Sequence, residues 1–185
     1  MEISRLSIPD VCILKPALHR DGRGFFSESY NRRRLESLGI QLDFVQDNHA
    51  YSAHKGTIRG LHFQSPPHAQ AKLIRVVRGA IFDVAVDLRQ GSPSYGRWVS
   101  AVIGADAWNQ ILVPVGFAHG LCTLEDDTEV LYKVTDYYDR GCDHGIAWND
   151  PTLGIDWPVA PSAAIVSERD QQQPAFANLP PWFQS

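Results

Sequence analysis

Two histidines stand in segments of the sequence whose composition suits proton chemistry. His62 lies in RGLHFQ (residues 59–64) and His119 in PVGFAH (residues 114–119). Both segments are strand-like and contain glycine, whose missing side chain leaves room for a ligand to approach. An imidazole changes its charge near neutral pH, so either residue could accept or donate a proton. The remaining histidines are expected to be hydrogen-bonded structural residues: His19, His49, His54, His68 and His144.

The same segments resemble the two halves of the cupin metal signature, with changes at the ligand positions. Metal-binding cupins supply two histidines and a glutamate from the first half and a third histidine from the second. Here Gln64 occupies the second histidine position, and Lys72, which six residues separate from Gly79, occupies the glutamate position. A protonated lysine has no lone pair to offer, and two histidines rarely hold a metal alone. We therefore predict no metal, with the charge of Lys72 in its place.

A β-rich fold must position these side chains. From residue 43 onward, segments rich in branched residues are separated by turn signals, and strands are predicted at 72–77, 80–87, 98–103, 110–113 and 129–135. Many short strands at close spacing indicate a sandwich or barrel, and 185 residues are enough for a jelly roll of two facing sheets. The sequence therefore predicts an all-β, cupin-type jelly-roll barrel that encloses a pocket.

Helices are expected only at the periphery of this barrel. Asn31 can cap a short helix over residues 31–39, and Gly39 can end it in a left-handed conformation. A second short helix is predicted over residues 167–171. Residues 139–185 are proline-rich and show little alternation, so we expect an irregular C-terminal tail that wraps the barrel.

Strand alternation predicts which side chains enter the pocket. Even-numbered residues of 58–64 share one face, and so do residues 130, 132 and 134, which directs both His62 and Tyr132 inward. The same alternation sends Arg59 outward, so an inward position for Arg59 requires a bulge or twist near Gly60. Asp83 has inward parity and is either a support for the site or a hydrogen-bonded structural residue.

Composition narrows the class of protein. The absence of repeats or a linker-like stretch predicts one domain over residues 1–185. A net charge of -4 gives no basic balance for nucleic acid or a membrane surface, and no apolar run is long enough to span a bilayer. The three cysteines, Cys12, Cys122 and Cys142, are widely spaced and form no CxxC pair, which suits a reducing compartment. We therefore expect a cytoplasmic protein.

Longer motifs extend over nearly the whole chain. They are DGRGFFSE (21–28), FVQDNH (44–49), GTIRGLHFQ (56–64), KLIRV (72–76), DVAVDLR (83–89), VPVGFAHG (113–120), YKV (132–134) and SERD (167–170). In this order and combination the chain resembles the dTDP-4-dehydrorhamnose 3,5-epimerases and their relatives in deoxysugar biosynthesis. The resemblance implies cofactor-independent epimerisation of dTDP-4-keto-6-deoxy-D-glucose at carbons 3 and 5, towards dTDP-L-rhamnose or a related deoxysugar.

The resemblance also implies catalytic roles for residues of this chain. His62 is expected to be the base that removes the proton beside the keto group, with Asp170 as the hydrogen-bond partner that orients it. Tyr132 is expected to donate a proton to the opposite face of the sugar, which inverts the carbon. Lys72, together with His119, is expected to stabilise the enolate oxygen.

Nucleotide-binding residues follow from the same resemblance. They are Arg23, Glu28, Gln46, Asn48, Arg59, Lys72 and His119, with Tyr138 as the surface for the base. Two further nucleotide contacts implied by the resemblance differ from the family in residue type, because Asp143 and Arg169 stand where glutamate and lysine are usual. Each side chain keeps the charge of the usual residue but differs from it in length. Without the resemblance, Arg23 and Glu28 could be a cross-strand pair and Tyr138 a packing residue.

Other interpretations stay open at this point. A single-site 3- or 5-epimerase, or a ketoisomerase acting on a related dTDP-sugar, would use almost the same residues. Gln64 and Lys72 oppose a metal-dependent cupin, and a non-catalytic sugar-nucleotide binder would not need a base, an acid and an orienting carboxylate together. The family resemblance further implies a homodimer in which residues 23–28 reach the partner's site.

Overall fold

The computed structural model describes residues 1–184, which form β-strands with short helices at the periphery. The strands are β1 (Glu2–Arg5), β2 (Cys12–Lys15), β3 (His19–Asp21), β4 (Gly24–Phe26), β5 (Gln46–Ser52), β6 (Thr57–Gln64), β7 (Lys72–Arg78), β8 (Ala80–Asp87), β9 (Arg89–Gln90), β10 (Trp98–Gly104), β11 (Gln110–Val113), β12 (Phe117–Thr123), β13 (Thr128–Val134), β14 (Asp143–Gly145), β15 (Ile165–Val166) and β16 (Phe183–Gln184). The helices are α1 (Arg32–Ser37) and α2 (Glu168–Gln171), and 3₁₀ turns cover Pro161–Ala163 and Phe176–Asn178.

Two six-stranded sheets make up the barrel. The first has the order β1-β2-β11-β7-β13-β5, and the second has the order β10-β8-β12-β6-β14 with β15 pairing with β6. From β5 to β14 the chain passes repeatedly from one sheet to the other, so strands distant in sequence become neighbours. Two small strand pairs complete the fold: β3 pairs with β4 antiparallel, and β9 pairs with β16 parallel. The long central strands β6, β7, β12 and β13 are therefore placed to carry a shared site.

An apolar core joins the inner faces of the two sheets. Ile74, Ile111 and Val130 from the first sheet pack with residues such as Ile81 and Leu121 from the second. These side chains lie at alternating strand positions, which is the pattern of a sheet whose one face is buried. The core fixes the separation of the sheets beside the cavity described below.

Helix α1 and the C-terminal tail cover the outer faces. Leu35 of α1 packs against Leu73 of the first sheet, while Leu61, Phe183 and Ile146 belong to a cluster between the second sheet and the tail. The tail also adds β14, β15 and β16 to the sheets, so it wraps the barrel with more strand pairing than its sequence indicates.

Most predicted elements are confirmed. The predicted strands at 72–77, 80–87, 98–103, 110–113 and 129–135 correspond to β7, β8, β10, β11 and β13 with shifts of one residue at most. Asn31 caps α1 and Gly39 has a φ of +82° just beyond it, as predicted, and the short helix predicted over residues 167–171 corresponds to α2. The expectation that β structure begins near residue 43 is wrong, because β1–β4 precede it; strands of three or four residues are too short to show alternation. Within residues 1–184, no helix has the length and apolarity needed to cross a membrane.

Candidate active site

A cavity of about 520 Å³ lies between the two sheets. Strands β6 and β12 form one wall, β7 and β13 form the other, and the segment around α2 contributes to its rim. The polar residues that line it include Arg59, His62, Lys72, His119, Tyr132, Arg169 and Asp170. The structure therefore brings all four predicted catalytic residues, His62, Lys72, Tyr132 and Asp170, into one space.

The half-buried His62 pairs with the buried Asp170 in this cavity. The Nε2 atom of His62 lies 2.6 Å from Oδ1 of Asp170, and the other carboxylate oxygen accepts the Gly60 backbone N–H at 3.2 Å. Burial acts to raise the pKa of Asp170, but the hydrogen bond and charge of His62 hold it below its ordinary value. An ionised Asp170 keeps the imidazole proton on Nε2, which leaves the lone pair on Nδ1 available to accept a proton.

Strand β6 contains the irregularity that Arg59 requires. His62 pairs with His119 of β12, yet Arg59 pairs with Leu121, so β6 uses one more residue than β12 over this interval. Gly60 lies at this bulge with a φ of +123°, and a Cβ atom there would stand 2.6 Å from the Cα of Gly120. The extra residue changes the side-chain alternation, and Arg59 and His62 consequently face the same cavity.

Lys72 places a cation beside the histidine. Its Nζ donates to the His62 carbonyl oxygen at 3.3 Å. Burial lowers the pKa of the Lys72 ammonium to about 8, although the nearby carboxylates of Asp143 and Asp83 favour the charged form. Lys72 is therefore mostly protonated at neutral pH and can stabilise negative charge that develops in the cavity.

His119 is held by a carboxylate of its own. Its Nε2 lies 2.8 Å from Oδ2 of Asp83, which is completely buried on β8. Asp83 therefore holds a residue of the site, which is the first of the two roles expected from its inward-facing strand position. Among residues 1–184, its other oxygen, Oδ1, has no hydrogen-bond partner. The charge of Asp83 favours an N–H on the His119 Nε2 and fixes the direction of the ring.

Tyr132 lies on β13, the strand beside β7 in the opposite sheet from His62. Burial raises the pKa of its hydroxyl; the charge of Arg59 opposes this shift and that of Asp143 adds to it. The phenol therefore stays protonated at neutral pH and is suited to donate a proton. The inward direction predicted for Tyr132 from strand parity is confirmed, since its side chain lines the cavity.

A second cavity of about 220 Å³ adjoins the first and shares His62, Lys72 and Tyr132 with it. The additional polar residues that line it include Gln46, Asn48, Gln64, Tyr138 and Asp143. Gln46 donates to the Asn48 side chain at 2.9 Å and accepts the Tyr138 backbone N–H at 3.3 Å. The structure thus groups most of the predicted nucleotide-binding residues next to the catalytic ones.

The two departures from the family pattern are in contact with each other. Arg169 donates to Oδ2 of Asp143 at 2.6 Å, and the Tyr138 hydroxyl donates to the same oxygen at 3.2 Å. A shorter carboxylate therefore meets a longer cation, and the pair still contacts the Tyr138 hydroxyl.

Arg23 and Glu28 lie away from both cavities. Arg23 is in the turn of the β3–β4 hairpin, is 91% exposed and binds Asp21, while Glu28 binds Arg34. The two residues therefore do not pair with each other across a strand. Within one copy of the chain, they are not brought to the predicted site.

The sequence is similar to those of known enzymes over most of its length. A family model described as dTDP-4-dehydrorhamnose 3,5-epimerase matches residues 5–178. The chain belongs to this family. A dTDP-4-dehydrorhamnose 3,5-epimerase of Pseudomonas aeruginosa is 49% identical over 179 residues, which are 96% of this chain and 97% of that protein.

Solved structures of dTDP-sugar epimerases have the same fold. The dTDP-4-dehydrorhamnose 3,5-epimerase of Bacillus anthracis, with TDP and PPi bound, is 50% identical with a TM-score of 0.91, covering 94% of this chain and 98% of that one. The dTDP-6-deoxy-D-glucose-3,5-epimerase of Legionella pneumophila, in complex with dTDP-4-keto-L-rhamnose, is 38% identical with a TM-score of 0.94, covering 100% and 98%. The predicted cupin-type fold, family and isomerase class are confirmed.

Sequence reasoning on this member of the epimerase family overlooked two serines that form hydrogen bonds with predicted site residues. Ser167 accepts the Asp170 backbone N–H at 3.1 Å, and Ser52 accepts a hydrogen bond from Arg59 at 3.0 Å. The SERD motif carries a signal for the first contact, because serine three residues before an acidic residue is typical of a helix N-cap. No local pattern indicates the second. In residues 1–184, no group of three or more His, Cys, Asp or Glu side chains is arranged to hold a metal ion.

Proposed function

We propose that this chain converts dTDP-4-keto-6-deoxy-D-glucose into dTDP-4-keto-L-rhamnose by inverting carbons 3 and 5. The observation that carries the proposal is a single cavity that holds the His62–Asp170 pair, Tyr132 and the cation Lys72. Carbons 3 and 5 both neighbour the keto carbon, so one base and one acid of this kind can serve each of them in turn. The ligands bound in the related solved structures, TDP with PPi in one and dTDP-4-keto-L-rhamnose in the other, support this choice of substrate.

Proton removal is the first step of each inversion. The Nδ1 lone pair of His62 takes the proton from the carbon beside the ketone, and the C–H electron pair becomes the double bond of an enolate. The resulting imidazolium is stabilised by Asp170 through the 2.6 Å hydrogen bond to Nε2. A charge-assisted hydrogen bond of this kind contributes roughly 1.5–3 kcal/mol.

Negative charge moves to the ketone oxygen as the enolate forms. The Lys72 ammonium, which is fixed by the His62 carbonyl oxygen, supplies a positive charge in a desolvated part of the cavity. His119, which Asp83 holds through Nε2, lines the same cavity. Such preorganised groups lower the barrier because they are directed at charge that exists only after proton removal.

Inversion requires a proton from the other face of the ring. Tyr132 approaches the cavity from the sheet opposite His62, and its hydroxyl stays protonated because burial raises its pKa. Transfer of the phenolic proton to carbon yields the inverted centre, and exchange with solvent later restores the proton of Tyr132 and removes the proton that His62 took up. Return of the proton from the His62 side would instead regenerate the starting configuration.

The nucleobase of the substrate is assigned to the adjoining cavity, and the diphosphate to Arg59 of the first cavity. Arg59 is suited to the diphosphate because a guanidinium donates two parallel hydrogen bonds, and the exposed ring of Tyr138 is suited to the pyrimidine. Gln46 and Asn48 supply amides, and the Asp143–Arg169 pair holds the edge of the Tyr138 ring.

We further propose a homodimer in which the β3–β4 hairpin reaches the active site of a second copy. Arg23 is 91% exposed at the hairpin turn, and the neighbouring Phe25 and Phe26 are exposed as well. Apolar side chains on a projecting hairpin suit a protein partner. Mixing inactive Arg23→Ala and His62→Ala proteins tests the arrangement, because mixed dimers regain one complete site if Arg23 acts on its partner. A cytoplasmic location remains a prediction; the free thiols of the chain agree with it.

Product analysis tests the proposed reaction. Purified protein is incubated with dTDP-4-keto-6-deoxy-D-glucose and the sugar configuration is followed by NMR. Inversion at both carbons supports the proposal, and inversion at carbon 3 or 5 alone would assign a single-site epimerase. Conversion to a sugar with the ketone at another carbon would assign a ketoisomerase, and binding without conversion would leave a sugar-nucleotide binder.

A further inference from the structure

Gln64 is a buried amide whose side-chain hydrogen bonds go to two loops, the one that follows β6 and the one that follows β13. Its side chain is 4% exposed at the end of β6. Nε2 donates to the carbonyl oxygens of His68 at 2.6 Å and Tyr137 at 3.1 Å, and Oε1 accepts the Asp139 N–H at 2.8 Å. Both ends of the amide are therefore satisfied, which makes the position costly to replace with an apolar residue.

These contacts flank Tyr138 on both sides. Gln64 binds the residue before it and the residue after it, and Gln46 accepts the Tyr138 N–H itself. The ring of Tyr138 is 58% exposed, so the protein packs against little of it. Its direction is consequently set by the backbone on either side and by the hydroxyl contact to Asp143.

The same glutamine is tied to the base. Gln64 is two residues beyond His62 on β6, and both side chains lie on the face that lines the second cavity. Gln64 also pairs with Asp143 in the β6–β14 ladder. One short strand segment therefore connects the histidine to the aromatic surface and to the carboxylate that holds its edge.

We propose that Gln64 is a positioning residue that holds Tyr138 in the orientation in which its ring stacks on the nucleobase, so that Gln64 contributes to substrate binding through Tyr138. This inference depends on the proposed function, since it assigns the nucleobase to Tyr138. Gln64 itself touches neither the reacting carbon nor the enolate oxygen in this account; it acts through the loop of residues 136–139.

Gln64→Met tests the inference, because methionine matches glutamine in length and offers no N–H donor. We expect the Kd for dTDP, measured by calorimetry, to rise about 10-fold, a part of what one base–aromatic stack contributes. The KM for the substrate should rise by a similar factor, while kcat should stay within about 2-fold of the wild-type value because the stack contributes uniform binding. Gln110→Met is the matched control: Gln110 is 3% exposed and its amide binds Ser29 on another loop. Its Kd should not change.

A double-variant cycle with Tyr138→Ala identifies the route of the effect. If Gln64 acts through Tyr138, Gln64→Met should weaken dTDP binding in the wild type and add less than about 2-fold when Tyr138 is already alanine. Additive losses, or a lower kcat with an unchanged KM, would overturn the inference. Failure of Gln64→Met to fold while Gln110→Met folds would also overturn it, because Gln64 would then be a residue of the fold.

Gln64→Glu tests the role of the donated hydrogen bonds, and the wild type distinguishes a failure of this inference from a failure of the proposed reaction. Gln64→Glu keeps the acceptor for the Asp139 N–H and loses the two donated hydrogen bonds, so its Kd should lie at or above that of Gln64→Met. A Kd equal to that of the wild type would count against the inference alone. If wild-type protein binds dTDP and does not convert the sugar, the proposed reaction fails, and the Tyr138 cycle still decides the role of Gln64.

Discussion

Replacement of Asp170 by asparagine should abolish the base more completely than replacement by alanine. One carboxylate oxygen accepts the His62 Nε2–H and the other accepts the Gly60 N–H, so both sides of Asp170 face donors. In Asp170→Asn, the amide oxygen can serve only one of them. The arrangement that satisfies every group gives the oxygen to Gly60 and turns the NH₂ group towards His62, which then must accept at Nε2.

That exchange moves the imidazole proton to Nδ1, the atom that should remove the proton from the sugar. The comparable loss of the correct tautomer in a histidine–carboxylate pair lowers kcat by about 10⁴-fold, and we expect a decrease of at least about 10³-fold here. Asp170→Ala removes only the charge-assisted hydrogen bond, roughly 1.5–3 kcal/mol, which corresponds to about 10- to 150-fold.

The assay is the rate of solvent deuterium incorporation into saturating substrate, with calorimetry of dTDP binding as the control. Both variants should bind dTDP within about 3-fold of the wild type, because Asp170 does not line the second cavity. If Asp170→Asn retains more activity than Asp170→Ala, the tautomer argument is refuted. Equal and small losses would mean that Asp170 acts in folding alone.

Three more predictions concern charge, fold and nucleotide binding. The kcat/KM of the wild type should fall as pH rises through about 8, because deprotonation of Lys72 removes the cation at the enolate oxygen, and Lys72→Arg should move this fall to higher pH. Gly60→Ala should lower the free energy of unfolding, measured with denaturant, by about 2–4 kcal/mol, since its Cβ would meet Gly120 at 2.6 Å and its φ is positive; an unchanged midpoint would contradict the bulge. Asp143→Glu and Arg169→Lys should each raise the Kd for dTDP about 3- to 10-fold, and the double variant should recover most of the loss; additive losses would show that the pair is not coupled.

The main strands and the inward direction of two catalytic side chains could be predicted from the sequence. Branched residues between turn signals locate β7 and β8, and alternation directs His62 and Tyr132 into the cavity. Local capping chemistry also suffices for α1, where Asn31 accepts the Arg34 N–H. Each of these features depends on residues that are close together in the chain.

Other parts of the site depend on strand pairing and could not be predicted from local patterns. Arg59 enters the cavity only because β6 and β12 lose register at Gly60, and alternation alone sends Arg59 outward. The carboxylate partner of each histidine is also far away in sequence. Local patterns indicate neither Asp83 for His119 nor Asp170 for His62, and the second is expected from the family resemblance alone. Register shifts and such contacts are set by tertiary packing, which a window of sequence does not contain.

Separate measurement of proton exchange and inversion in heavy water tests the central claim most directly. Because the base lies on one face of the sugar and the acid on the other, Tyr132→Phe should still exchange the protons at carbons 3 and 5 while inverting neither at an appreciable rate. His62→Ala should lose both exchange and inversion. Inversion by Tyr132→Phe at the wild-type rate, or exchange by His62→Ala at the wild-type rate, would contradict the assignment of acid and base.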